Sequence, residues 1–360
     1  MLQKYEKRNI PLAWGLLHGI NDWISGYIIT VYSLHHSIEQ SSLALIIYTI
    51  LGFGGQLPAG MWLDKHKSLN LFIKLSIGLL VSAICSFWID NWAAIILAGF
   101  SSAFIHITGG RICLDAGKGK AGPLGIFTGP GVLGLTLGIA SVNLSKWWML
   151  LALVAIFLIL FVFKYMQNTE IKDRLTTPVI EPAHKLIEGH DWLMIGILVT
   201  VTLRSLLYEI ISLLVNDVQN GLLVIGISAF AGKIIGGFLA DRIGWKLWIY
   251  ISLPLAFLLL QFGKGNLVML GFGIACLQSS VPISLLLMQR AIPEFPATSV
   301  AMTLGVAVAV AALSFFIVER LKIQQGWFSL PGIVTGIVII TVILLYFIRA
   351  RKISSQKLNY

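Results

Sequence analysis

Charge is scarce in this chain. Only 12% of its 360 residues are Asp, Glu, Lys or Arg, while 57% are hydrophobic and mean hydropathy is +0.87. A water-facing surface needs about a quarter charged residues, so a soluble globule of this length is excluded. Cysteine is scarce as well: Cys85, Cys113 and Cys276 all fall within apolar runs, so no disulfide framework is implied. No phosphate-cradling GxxxxGK[ST] loop occurs, which excludes ATP as the direct energy source. His35, His36 and Glu39 are too sparse for a metal site. No catalytic dyad or triad stands out at membrane depth, so neither an enzyme nor a bound cofactor is expected. The first apolar run is too long for a secretory signal core, and no small-residue cleavage site follows it.

Long apolar runs are what the chain has instead. A membrane-spanning helix needs about 20 apolar residues, and such runs recur near 11–34, 41–63, 70–89, 92–114, 121–143, 147–165, 191–214, 220–240, 246–262, 267–289, 297–318 and 328–349. The expected fold class is an all-α integral membrane protein with twelve transmembrane helices. Residues 1–165 and 191–360 form two pseudo-symmetric six-helix bundles, joined by a polar linker at 166–190. The span at 246–262 is short, and the one at 297–318 is the least regular.

The net charge of +10 is a topology signal rather than a nucleic-acid footprint. With the N-terminus inside, 18 Lys and Arg residues fall on inside segments, and Lys146, Lys264, Arg320 and Lys322 fall outside. That asymmetry predicts both termini in the cytoplasm of a protein of the cytoplasmic (inner) membrane. Lipid, protons and a small-molecule solute are the expected partners. Nucleic acid is not, and a monomer is expected.

One element occurs twice, half a chain apart. Gly55-x4-Gly60-x3-Asp64-Lys65 matches Gly232-x4-Gly237-x3-Asp241-Arg242, each closing an apolar helix at a basic loop. A second pairing supports the duplication: Arg111-x3-Asp115 closes the fourth span, and Arg290-x3-Glu294 closes the tenth. Internal repeats of this kind are how secondary transporters are built. These eight charges are expected to form twin clusters on the cytoplasmic face that act as a gate. Span 5 is dense in glycine and carries Gly129-Pro130, read as close packing plus a helix kink.

Gly237-Phe-Leu-Ala-Asp241-Arg242-Ile-Gly244-Trp-Lys246 resembles the loop signature G-x-L-x-D-R-x-G-x-K/R of the major facilitator superfamily. The N-terminal copy departs from it, with Lys65 for arginine and no glycine in His66-Lys67-Ser68. The resemblance implies two six-helix bundles around a central cavity, working by alternating access. His18-Gly-Ile-Asn21-Asp22, Ser102-Ala-Phe-Ile-His106, Leu203-Arg204-Ser205-x2-Tyr208, and Pro293 with Ala301 are similar to the fosmidomycin-resistance branch. Gly125-x3-Gly129-Pro130-x2-Leu133-Gly134 resembles the antiporter signature of drug–proton exchangers. Both resemblances imply efflux.

Ionisable groups at bilayer depth are costly and so are functional candidates by default. His18, Asn21, Asp22 and Ser25 share one face of the first helix. Asp22 is the first candidate for proton coupling, because a desolvated carboxyl can load and release a proton near neutrality. His18, His106 and Glu209 are the further proton-coupling candidates, set against the reading that each is a hydrogen-bonded core residue. Arg204, Lys233, Asn21 and Tyr208 are the candidates for solute binding. Arg204's planar fork suits an acidic group, and its rival role is an ion pair with Glu209 or Asp22. The leading expectation is export of a small organic, possibly acidic solute in exchange for protons. A proton-coupled importer and a non-transporting membrane sensor are the alternatives.

Overall fold

The computed structural model describes residues 2–167, 190–215, 220–263 and 266–320, together with residue 336. Nearly all of the twelfth expected span and of the 166–190 linker, and the C-terminal tail, lie outside the described residues.

What is described is helical almost throughout. In chain order the helices are α1 (Leu2–Leu34), α2 (Ile38–His66), α3 (Leu69–Ser86), α4 (Asn91–Gly117), α5 (Gly122–Ala140) and α6 (Trp148–Gln167). The second half supplies α7 (His190–Leu214), α8 (Gly221–Ile243), α9 (Trp245–Phe262) and α10 (Leu267–Ala291). It ends with α11, made of Pro296–Val300, Ala301–Val306 and Ala307–Arg320 in succession. Among the described residues, nine helices are long and apolar enough to cross a membrane. α1 is not among the nine, because its polar stripe dilutes an otherwise apolar run. The short span at 246–262 and the irregular one at 297–318 are both helical.

Local chemistry sets the boundaries. Ser37 caps α2 in a reciprocal box with Gln40, Asp90 accepts from Ala93 N at the start of α4, and Asn266 caps α10. At the basic ends, Lys67 and Lys118 turn the chain in left-handed conformation, and Gly244 at φ 92° separates α8 from α9. Only glycine is at ease at that last angle.

Two helices change pitch inside the bilayer. α2 is π-helical over Ile50–Gly54 and α11 over Ala301–Val306. The two irregular segments face each other: a Cβ on Gly305 would lie 2.7 Å from both Gln56 Cβ and Phe53 O. α2 therefore meets α11 across the two halves, and α5 meets α8. Half a chain's offset relates α2 to α8 and α5 to α11, so the two cross-half contacts are counterparts of one another.

α5 is packed from both sides. On one face it lies on α1, where a Cβ on Gly134 would overlap the backbone of Gly19. On the other, a Cβ on Gly129 would stand 3.0 Å from Ile234 and 3.2 Å from Phe230 O of α8. The helix runs on through Pro130, whose ring fills the space beside Gly15 and Gly19. Gly129 and Pro130 thus serve close helix packing here.

Candidate functional site

α1 carries its polar stripe into the centre of the N-terminal half. Side-chain Asp22 Oδ2 stands 3.1 Å from His18 Nε2, one helical turn away. His106 from α4 completes the group, its Nε2 lying 2.9 Å from the same His18 atom. Asn21 Nδ2 donates to Asp22 Oδ1 at 2.9 Å, and Asn21 Oδ1 accepts from the Ser101 hydroxyl at 2.8 Å. Gly131 makes the room, since a Cβ there would overlap the His18 ring and approach Asp22 Oδ2 at 2.7 Å. That requirement was hidden in the sequence among the other glycines of span 5.

The hydrogen bonds bear on how many protons the group can share. His18 Nδ1 contacts the Phe127 carbonyl at 2.9 Å, and His106 Nδ1 contacts the Ser102 carbonyl at 2.7 Å. Carbonyl oxygen only accepts, so both Nδ1 atoms carry hydrogen. The facing Nε2 atoms then need one more hydrogen between them, or two lone pairs would collide. Asp22 sits against His18 Nε2, so that nitrogen is the one that carries it. These contacts accommodate one shared proton among His18, Asp22 and His106.

His18, Asp22 and His106 are also the group among the described residues whose ligand atoms converge within 4.8 Å. Two nitrogens on a tetrahedral ion with bonds of about 2.0–2.1 Å stand about 3.4 Å apart. The 2.9 Å between the two Nε2 atoms is hydrogen-bond distance instead.

The C-terminal half holds a different charge. Arg204 of α7 is 2% exposed, and its Nη1 donates to the hydroxyls of Ser280 at 3.2 Å and Ser284 at 3.1 Å. Among the described residues no carboxylate lies within ion-pair distance of it. The ion pair considered from the sequence, with Glu209 or Asp22, is therefore not formed: Asp22 is engaged by His18, and Glu209 is exposed on another face of α7. Tyr208 is half-buried beside Ser212 and Thr136. Lys233 of α8 reaches across the halves, its Nζ 3.4 Å from the Thr128 carbonyl of α5. It stands close enough to Asp22 and Arg204 to feel both charges, and close enough to His106 to act on it. One central region therefore contains the triad, Lys233 and Arg204.

The duplicated element does something the sequence did not disclose. Asp64 accepts from Ala297 N at 3.0 Å, Thr298 N at 2.7 Å and the Thr298 hydroxyl at 2.8 Å, all at the start of α11. Asp241 accepts from Ala121 N and Gly122 N, each at 2.8 Å, at the start of α5. Each acid thus caps a helix of the opposite half, where free N–H groups and the helix dipole favour an anion. Both capped helices also begin with proline, Pro296 and Pro123, which suits a first turn. Their basic neighbours Lys65 and Arg242 are exposed.

The second repeated pairing is formed in one half. Arg111 and Asp115 are hydrogen-bonded within α4, with Asp64 near enough for its charge to act on Asp115. α10 ends at Ala291, so Glu294 is not one helical turn from Arg290. Arg290 lies over the Trp245 ring at 4.1 Å.

No protein-family model and no curated protein sequence matches the chain. Solved structures do. A major facilitator superfamily transporter, the fucose:proton symporter in its outward conformation, aligns with TM-score 0.67 at 12% identity, covering 98% of this chain and 99% of that one. A second structure of the symporter, titled as the E. coli protein, gives 0.66 at 13% identity over 98% of both chains. A bacterial homologue of the iron transporter ferroportin, outward-facing with soaked iron, gives 0.64 at 14% over 94% and 98%. A human organic anion transporter gives 0.60 at 16% over 95% and 99%. The architecture is that of the major facilitator fold.

Proposed function

We propose that this chain is a secondary transporter of a small organic solute, driven by protons carried on the Asp22–His18–His106 triad. The observation that carries the reading is the hydrogen-bond inventory of that triad. Those contacts leave room for one extra proton between two histidine rings and a carboxylate, in contact with helices α1, α4 and α5. Losing that proton changes the triad's net charge by one unit in a poorly solvated place, and such changes bias helix packing strongly. The capping contacts of Asp64 and Asp241 supply the element to be biased. They tie the halves together at the basic end, which the positive-inside rule assigns to the cytoplasm.

Export in exchange for protons is the leading direction. Same-direction coupling is the second reading, and the position of Lys233 favours it. A deprotonated triad carries a net −1 and holds the charge of Lys233, whereas a protonated triad is neutral and leaves Lys233 to an acidic solute. Proton and solute would then load together.

Purified chain in liposomes under an imposed pH gradient tests both. Solute-dependent proton movement is the expected result with a panel of small acids, and its direction relative to solute flux separates exchange from co-transport. Asp22→Asn removes the coupled movement. Proton flux that follows no solute, or that survives Asp22→Asn unchanged, ends the proposal.

A further inference from the structure

The triad is built like a ligand set. His18 Nε2 lies 2.9 Å from His106 Nε2 and 3.1 Å from Asp22 Oδ2, and the three atoms converge within 4.8 Å of one another. Metal-binding histidines donate their other ring N–H to a fixed acceptor, which sets the tautomer and aims the ring. Both histidines have such an acceptor here. His18 Nδ1 stands on the Phe127 carbonyl at 2.9 Å and His106 Nδ1 on the Ser102 carbonyl at 2.7 Å. The carboxylate is held as well: Asn21 Nδ2 donates to Asp22 Oδ1, and the Ser101 hydroxyl anchors Asn21 in turn. Two Nε2 atoms and Oδ2 are left facing one point, each with its outer partner in place.

Two neutral imidazoles and a carboxylate are the donor set of a zinc-class divalent ion with one position left open. A tetrahedral ion spaces its ligand atoms about 3.4 Å apart, so the nitrogens part by about half an ångström on binding and the carboxylate by less. Solvent reaches the group at Asp22, whose side chain is 14% exposed against 5% for His18. Gly131 keeps the α5 side clear, where a Cβ would stand 2.7 Å from Asp22 Oδ2. One group opposes an ion. Lys233 lies within electrostatic reach of Asp22 and His106, and its charge repels a dication.

We propose that the triad is a binding site for a zinc-class divalent cation, held by His18 Nε2, His106 Nε2 and Asp22 Oδ2. Water, or an oxygen of a solute, takes the fourth position. As a metal site it stands apart from the transport reading above. As a control on transport it rests on that reading, because a seated ion occupies the three atoms that would share the proton.

The full chain, free of any affinity tag, is titrated in detergent at pH 7 with cobalt(II) chloride, then with zinc chloride, with magnesium chloride as the control. The visible absorption of cobalt(II) strengthens sharply when six water oxygens give way to a four-coordinate site. The expected result is one strongly absorbing cobalt per chain, displaced by zinc and indifferent to magnesium. Asp22→Asn and His106→Gln each abolish the band. Asn21→Ala, which removes only an outer partner, weakens affinity by about tenfold or more. Lys233→Gln tightens it. A double variant, His35→Gln with His36→Gln, binds as the parent does. Where His106→Gln does not fold, the opposite shifts from Asn21→Ala and Lys233→Gln carry the test.

No four-coordinate band, an equal response to magnesium, binding unchanged in Asp22→Asn, or binding lost in the His35 and His36 double variant overturns the site. Liposome transport is read in parallel, in excess chelator and with zinc. Cobalt bound at the triad with no proton coupling in chelator counts against the transport reading and leaves the metal site standing. Coupling in chelator that depends on Asp22, with no cobalt bound, does the reverse.

Discussion

The two halves hold buried charge in opposite ways. In the N-terminal half, Asp22 is met by His18 on its own helix, Asn21 beside it and His106 behind, and each of those has a second partner. In the C-terminal half, Arg204 is more deeply buried and, among the described residues, donates to two hydroxyls. A network closed on itself gains or loses a proton with little movement of its members. A guanidinium held by neutral hydroxyls keeps its full charge. The difference suggests a division of labour, with proton handling in one half and solute recognition in the other.

The hardest way to break that comparison is to remove the proton site. Asp22→Asn keeps the shape and the bond from Asn21's neighbour position but leaves no carboxylate to share the proton. Gradient-driven transport is expected to fall about a hundredfold or more, the scale of losing a positioned proton-transfer group. Solute flux in liposomes with and without a pH gradient reads it. Equal loss in both conditions would mean damage to the site as a whole, and the division of labour would fail.

Gly131 sharpens the same comparison through packing. Gly131→Val places carbon where the His18 ring and Asp22 Oδ2 now sit. Overpacking of this kind costs about 1–3 kcal/mol. Thermal unfolding is expected to shift downward by that amount, with gradient-driven flux lost and flux without a gradient retained. A loss of both would show that the two regions act as one.

The two capping acids offer a third test, between copies of one element. Asp64 accepts three hydrogen bonds at the start of α11, and Asp241 accepts two at the start of α5. Charged caps of this sort contribute about 1.5–3 kcal/mol in all, so either alanine variant opens the basic end. Alkylation of a cysteine introduced at Thr298 or at Gly122 measures the opening. Asp64→Ala is expected to give the larger rate increase, and the reverse order would contradict the count of bonds.

Much of this was legible in the sequence because lipid is a demanding solvent. Apolar runs must be helices, since no other local structure satisfies its own backbone there. The boundaries of the eleven expected spans that fall on described residues agree with the helices to within a few residues, apart from α1, which starts at Leu2. Asp22, His18 and His106 stood out because polar groups at that depth are rare. Their mutual contact did not, since it depends on how α1 crosses α4. The break in α10 at Ser279-Ser280 was invisible for a different reason. Serine, proline and small apolar residues fit both a continuous helix and a broken one, and only packing chooses. The pairing of Arg290 with Glu294 was read from spacing alone, and the helix that carries Arg290 ends at Ala291.

The smallest expected effect separates the acid of the repeated element from its base. Sequence alone treats Asp64-Lys65 and Asp241-Arg242 as pairs. In the fold the acids turn inward to the opposite half, while Lys65 and Arg242 are exposed. Exposed charges contribute about 0–1 kcal/mol at most, because water screens them and long side chains resist ordering. Lys65→Ala and Arg242→Ala should therefore leave unfolding temperature and cysteine accessibility within error of the parent. On the proposed topology they belong to the basic excess that orients the chain. An effect as large as that of Asp64→Ala would mean that the base, too, holds the halves together. The cross-half cap would then be only part of the lock.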